Sequence, residues 1–177
     1  MLALEVSTLR DGTDRLDRTI PADALAADED YRVLAPVALR ATVTRHRQTV
    51  RLAGQVLARL ELSCSRCLDG YPQDVTTEFD LRYLPASERP AAAADAEVAD
   101  EDIDTAYYDE GRIDLAELVH EQLQLALPMK PLCRDQCQGL CPACGANRNL
   151  TDCSCDVTWT DPRLAGLKAL LNETDDA

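Results

Sequence analysis

The 177-residue sequence is poor in aromatics: one Trp, five Tyr and one Phe. Its core must therefore be built from Leu, Val and Ala. Stacking partners for the bases of a single strand are equally scarce, which argues against base-specific readout. Histidine is almost absent, with only His46 and His120. His46 sits between Arg45 and Arg47 and reads as a solvated side chain in a turn; His120 reads as a helix-surface residue. No Ser-His-Asp order, no His-Glu-x-x-His pair and no phosphate-cradling glycine loop occurs. No apolar run approaches the roughly 18 residues that cross a bilayer. The opening Met1-Leu2-Ala3-Leu4-Glu5 has neither the basic start nor the apolar block of a secretory signal. The expectation is a soluble, cytoplasmic protein with no catalytic residues, no membrane contact and no small-molecule substrate.

Charge is present in excess and is unevenly spread. The formal net charge is -14. Between Pro85 and Glu121 twelve acidic residues outnumber two basic ones, whereas Arg32 to Leu60 holds six Arg and no acid. Such a chain does not attract nucleic acid through its bulk field. Its basic stretch can do so locally, and its acidic stretch can attract a basic protein.

Hydrophobic periodicity divides the chain into three parts. In the first, Val37, Leu39, Ala41 and Val43 alternate with Ala38, Arg40, Thr42 and Thr44, the period of a half-buried strand. Val56, Ala58, Leu60 and Leu62 alternate with Leu57, Arg59, Glu61 and Ser63, and Val75 to Leu84 is rich in β-formers. Ala22 to Ala27 admits a short helix. The second part, with Ala91-Ala92-Ala93-Ala94 and a dense acidic run, has too little apolar material to offset the entropy of ordering and reads as a loop. Its cluster Asp100, Glu101, Asp102 and Asp104 reads as a solvated charge run. A helix follows, with Asp114 as N-cap and Glu117 three residues on. Leu115, Val119, Leu123 and Leu127 form its apolar stripe, and Pro128 ends it. The third part starts at Pro131. It is cysteine-rich and closes with a helix that Asp161 caps and Pro162 begins, with Leu164, Leu167 and Leu171 on one face and a disordered tail over 172–177. The expected fold class is α+β: a mainly antiparallel β-sheet body with one packed helix and a cysteine-rich zinc-binding C-terminal segment. The body covers 1–130, with the acidic loop at about 85–109 and the helix at 114–127; the zinc-binding tail covers 131–177.

The eight cysteines carry the strongest signal: Cys64, Cys67, Cys133, Cys137, Cys141, Cys144, Cys153 and Cys155. Disulfides fit poorly with a chain that carries no export signal. Cysteine pairs two residues apart on tight turns form half of a zinc knuckle, and Cys141-Pro142-Ala143-Cys144-Gly145 is a specific form of it. Pro142 sets the turn, and Gly145 lets the chain curl so that backbone amides point at the sulfurs. The spacings are not those of a ferredoxin-type cluster, although an iron–sulfur cluster stays a competing reading. A thioredoxin-like role for Cys64-Ser65-Arg66-Cys67 needs the pair at a helix start, yet this pair ends a strand. Eight thiolates make two structural zinc sites. Local spacing suggests Cys141, Cys144, Cys153 and Cys155 for one, and Cys64, Cys67, Cys133 and Cys137 for a second that staples sheet to tail. An interleaved division with fewer ligands stays open.

Arg40, Arg45, Arg47, Arg51 and Arg59 fall on or beside the polar side of the expected strands. A sheet face with several Arg can lie along an RNA backbone. The same residues can equally keep an amphipathic sheet soluble or pair with the acidic loop.

Leu62-Ser63-Cys64-Ser65-Arg66-Cys67-Leu68, then Ile113-Asp114-Leu115-Ala116-Glu117-Leu118-Val119, Leu125-Ala126-Leu127-Pro128-Met129-Lys130-Pro131-Leu132-Cys133 and Gly139-Leu140-Cys141-Pro142-Ala143-Cys144-Gly145 together resemble the YceD family. That family is called the large ribosomal RNA subunit accumulation protein. The resemblance extends from about residue 20 to 171. It implies a role in accumulation or maturation of large-subunit (23S) ribosomal RNA. The partners it implies are that RNA or a pre-ribosomal particle, and the opposite charge blocks add a basic ribosomal protein. Two other readings compete: a zinc-ribbon module that regulates or binds another protein, and a thiol oxidoreductase.

Overall fold

Alternation is longest in the strand at the centre of the sheet. The computed structural model describes residues 2–25, 28–89, 103–156 and 163. Strand β5, Thr49–Ser63, turns Val50, Leu52, Val56, Ala58, Leu60 and Leu62 into the core. Strand β4, Val37–His46, pairs with it antiparallel from Ala38↔Leu57 to His46↔Thr49, burying Val37, Leu39 and Val43 on the same side. Strand β6, Gly70–Pro85, takes the other edge from Val50↔Tyr83 to Ser63↔Gly70. Inward and outward residues alternate along all three strands, as the period of two requires.

Shorter elements complete the sheet. Strand β2, Gly12–Ile20, pairs with the far edge of β4. Strand β3, Tyr31–Val33, pairs with Leu60–Leu62 on the edge of β5 that β4 also uses, and the Leu34 amide donates to the Arg59 carbonyl at 2.9 Å. Strand β7, Thr105–Tyr108, runs parallel to the end of β6. The order is β2-β4-β5-β6-β7, with β3 beside β5. A separate two-stranded sheet pairs β1, Ala3–Glu5, with β8, Arg112–Asp114.

Helix α1, Leu115–Ala126, begins where β8 ends. The Asp114 carboxylate accepts the Ala116 and Glu117 amides at 2.8 and 3.2 Å, satisfying donors that the first turn leaves unpaired. Leu115, Leu118, Val119 and Leu123 are buried, and the helix packs on β1, β5 and β6. Leu127 is already extended (φ -66, ψ 137), the backbone that a following proline favours. His120 is half-buried rather than free on the surface: its Nδ1 lies 2.9 Å from the Tyr31 hydroxyl and its Nε2 3.6 Å from Asp28.

The architecture is the expected α+β body, with two local differences. Thr105–Tyr108 is a strand inside the stretch expected to be loop, because β6 offers it an open edge and Thr and Tyr suit a pleated surface. Ala22–Ala24 forms one 3-10 turn instead of a helix, between extended Pro21 and Leu25. Residues 90–102 of the expected acidic loop lie outside the described residues. So do the C-terminal helix and tail beyond 156, Arg163 apart. The chain divides into two compact units: residues 1–64 with 69–133, and residues 65–68 with 134–177.

Gly54 sits where β4 lies close against β5. A Cβ there would lie 2.1 Å from the Arg40 carbonyl oxygen and 2.5 Å from the Ala41 Cα, both backbone atoms that cannot rotate away. Gly54→Ala is therefore expected to cost roughly 1–3 kcal/mol, the scale of overpacking a tight interior. Urea unfolding checks this, and an unchanged midpoint contradicts it.

Candidate metal centre

The link between β5 and β6 is short and turned tightly. Cys64 follows the last residue of β5, and its amide donates to the Asp69 carbonyl at 3.0 Å. Leu68 sits at φ 62, a left-handed conformation that closes the turn before Gly70 opens β6. Cys64 and Cys67 are both buried. The Sγ atoms of Cys64, Cys67, Cys133 and Cys137 all lie within 4.8 Å of one another.

Residues 65–68 and 134–156 hold their own hydrogen-bond framework. The Arg66 guanidinium donates to the Cys137 carbonyl at 2.8 Å and the Asp135 carbonyl at 3.2 Å, while its own carbonyl accepts the Leu140 amide at 3.0 Å. Gly139, at φ 72, lets the chain pass: a Cβ there would meet the Arg66 carbonyl oxygen at 2.9 Å. The Cys141 amide donates to the Ala146 carbonyl and the Gly145 amide to the Cys141 carbonyl, both at 2.8 Å, with Gly145 at φ 73. This curl brings Cys141, Cys144, Cys153 and Cys155 into a second set of four sulfurs, again within 4.8 Å of one another.

The donors suit a thiophilic divalent ion. A tetrahedral zinc with bonds of ~2.3 Å holds its sulfurs ~3.8 Å apart, inside the observed limit. Backbone amides of Cys144 and Ala143 point at the Cys141 sulfur and hold its thiol down to about 6. Hydrogen bonding to Cys144 and Cys141 pushes Cys155 up to about 12, and hydrogen bonding to Cys141 raises Cys153. Four crowded sulfurs do not all ionise alone, and a divalent cation removes that obstacle. The described residues include all eight cysteines, and none is in a disulfide. Both groups can thus hold a metal ion, divided as the local spacings suggest.

The five arginines have different surroundings. Arg51 donates to Asp80 through Nε at 2.7 Å and through a second nitrogen. Arg59 Nε lies 3.8 Å from Asp74. Arg40 is exposed, its side chain without a hydrogen bond or ion pair among the described residues. Arg47 lies in the β4–β5 turn at φ 57. Arg45 differs from the others: its guanidinium is turned to the carbonyls of Val6, Leu9 and Arg47. The open sheet face also carries Asp17, Glu78 and Asp80 beside Arg15 and Arg40, around a shallow hollow of about 810 Å³. These acids belong to β2 and β6, outside the acid-free stretch that makes the sequence look basic. Arg66, Asn147 and Asn149 also escape sequence reasoning, because no spacing marks a residue that supports a cysteine through a turn.

The fold and the cysteine groups define an α+β protein with two candidate metal centres. Residues 52–171 match the family model described as large ribosomal RNA subunit accumulation protein YceD, and the chain belongs to the YceD family. It is 31% identical over 145 residues to the maize (Zea mays) chloroplastic large ribosomal RNA subunit accumulation protein YCED homolog 1, covering 68% of this chain and 48% of that protein. Arabidopsis thaliana YCED homolog 2, chloroplastic, is 27% identical over 142 residues, covering 79% and 61%. Bacillus subtilis uncharacterized protein YlbN is 24% identical over 165 residues, covering 91% and 90%. The chain spans about half the length of the maize protein. No solved structure matches it.

The Arg51–Asp80 pair has a pH signature. The hydrogen-bonded guanidinium holds the Asp80 carboxyl below the usual aspartate range. A folded pKa below the unfolded one stabilises the fold above about pH 4, and that contribution is lost as pH falls through the folded value. Wild-type stability is expected to drop more steeply than that of Asp80→Asn below about pH 4. Equal slopes in urea titrations across that range contradict the pairing.

Proposed function

We propose that the protein is a non-enzymatic factor for the accumulation or maturation of large-subunit ribosomal RNA, with structural zinc in both cysteine groups. The observation that carries this reading is the family match, whose span of residues 52–171 includes all eight cysteines. The names of the maize and Arabidopsis relatives support the RNA link, and the sulfur geometry suits a metal. The non-enzymatic part is supported by the ligand count. A catalytic zinc keeps one position open for water or substrate, whereas four sulfurs close the sphere.

Contact with RNA falls on the open face of the sheet. Arg40 and Arg47 are exposed there and at its turn. Arg51 and Arg59 would first have to leave Asp80 and Asp74, which makes their contribution costlier. Arg45 supports the fold instead, through its carbonyl partners. The acidic stretch Pro85–Glu121 is suited to a basic ribosomal protein, since each charge block steers its own partner.

Removing the gene is expected to lower large-subunit relative to small-subunit ribosomal RNA, or to leave large-subunit precursors with unprocessed ends. Sucrose-gradient profiles with mapped RNA ends give the answer. A copy carrying Arg40→Glu and Arg47→Glu, folded as judged by circular dichroism, is expected to restore the ratio less fully than wild type. Normal subunit ratios and RNA ends in the deletion strain, including in the cold, would overturn the ribosomal reading.

A further inference from the structure

The segment 145–152 joins the two ligand pairs of the second cysteine group, and it also reaches a ligand of the first. Asn149 Nδ2 donates to the Cys137 sulfur at 3.3 Å. The Asn149 Oδ1 accepts the Gln138 amide at 2.9 Å, next to that same cysteine. These two bonds fix the orientation of the amide. Turned over, it would set its oxygen against the sulfur and its NH2 against the Gln138 N–H.

Asn149 is itself held firmly. Its backbone amide and its Nδ2 both donate to Asn147 Oδ1, at 3.0 and 2.8 Å. The Leu150 and Thr151 amides fold back on the Asn147 carbonyl, each at 3.0 Å. Asn147 bridges to Leu140, the Arg148 amide donates to the Gly139 carbonyl at 2.9 Å, and the Cys141 amide donates to Ala146. The Asn149 side chain thus belongs to a rigid turn anchored on Cys141 at one end and closed by Cys153 at the other.

We propose that Asn149 is a positioning residue that couples the two metal sites. This rests on the reading that both groups bind zinc. Metal in the Cys141, Cys144, Cys153 and Cys155 group fixes the ends of segment 145–152. The ordered segment then presents an N–H to the Cys137 sulfur, which orients that ligand toward the rest of the first group. Support of this kind to a ligand is worth about 10–100-fold in metal affinity. The coupling is reciprocal, so metal in the first group tightens the second by the same factor.

Cobalt(II) titration of the reduced, metal-free full-length chain tests this, because sulfur-to-cobalt charge-transfer bands report each site. Wild type is expected to bind two ions with all-sulfur spectra. Asn149→Leu is expected to weaken one of them by about 10–100-fold. It should also move that ion's charge-transfer band to longer wavelength, since a thiolate without its N–H donor gives up an electron more easily. Asn149→Asp, which sets a carboxylate against the sulfur, should weaken the same ion at least as much. Cys144→Ala, which breaks the second group, should weaken the first-group ion comparably in wild type and add little in the Asn149→Leu background. Circular dichroism of each variant controls for folding of the sheet. Wild-type affinity and an unshifted band in Asn149→Leu, or simple additivity with Cys144→Ala, overturns the coupling while leaving the zinc reading intact. A wild-type chain that takes up no cobalt overturns the zinc reading, and the coupling with it.

Discussion

Everything in the body depends on β5 being paired along both of its edges. Val50, Leu52, Val56 and Leu60 are fully buried on one side of it, each contributing roughly 1.5–3 kcal/mol of burial. Its backbone donors and acceptors go to β4 and β3 on one edge and β6 on the other. A strand with no free edge cannot slip by one residue without turning its apolar set toward water. The place where the strand ends is therefore fixed, and Cys64 follows that end directly. The first sulfur is set by the sheet, not by a loop that could settle elsewhere.

The cysteine-rich tail has no such support. Between Arg134 and Asp156 the only aliphatic residues larger than alanine are Leu140 and Leu150, and Leu150 is exposed. A segment with so little to bury cannot be held by hydrophobic contact, and small units of this kind rely on cross-links or metal. What holds it is turn chemistry: glycines at positive φ, the Arg66 guanidinium on two carbonyls, and amides aimed at sulfur. On the proposed reading, zinc supplies the folding free energy that a core supplies in the body.

Much of this was legible in the residues. The alternation at Val37–Val43 and Val56–Leu62, the Asp114 cap and the Leu115–Leu127 stripe correspond to β4, β5 and α1. Cysteine spacing divided the eight sulfurs into the two groups that the structure brings together. Strand β2 was not legible, because an edge strand with only Leu16 and Ile20 as large apolar residues shows no alternation. The three-residue β1, β3 and β8 are too short to show a period at all. Thr105–Tyr108 was lost among the surrounding acids, since its partner edge exists only once β6 has formed. The arginines were visible, but the register that sets Asp74 opposite Arg59 and Asp80 diagonal to Arg51 is revealed by no local pattern. Asn149 lay outside reach for the same reason: a side chain aimed at a sulfur twelve residues away depends on the turn between them.

On the proposed reading, two closed four-sulfur zinc sites organise this chain. X-ray absorption at the zinc edge, on reduced protein whose metal content has been measured, tests it most directly. About two zinc ions per chain are expected, each bound by four sulfurs at ~2.3 Å and by no lighter atom. Folded, reduced protein without zinc, iron in its place, or nitrogen or oxygen among the bound atoms would contradict it.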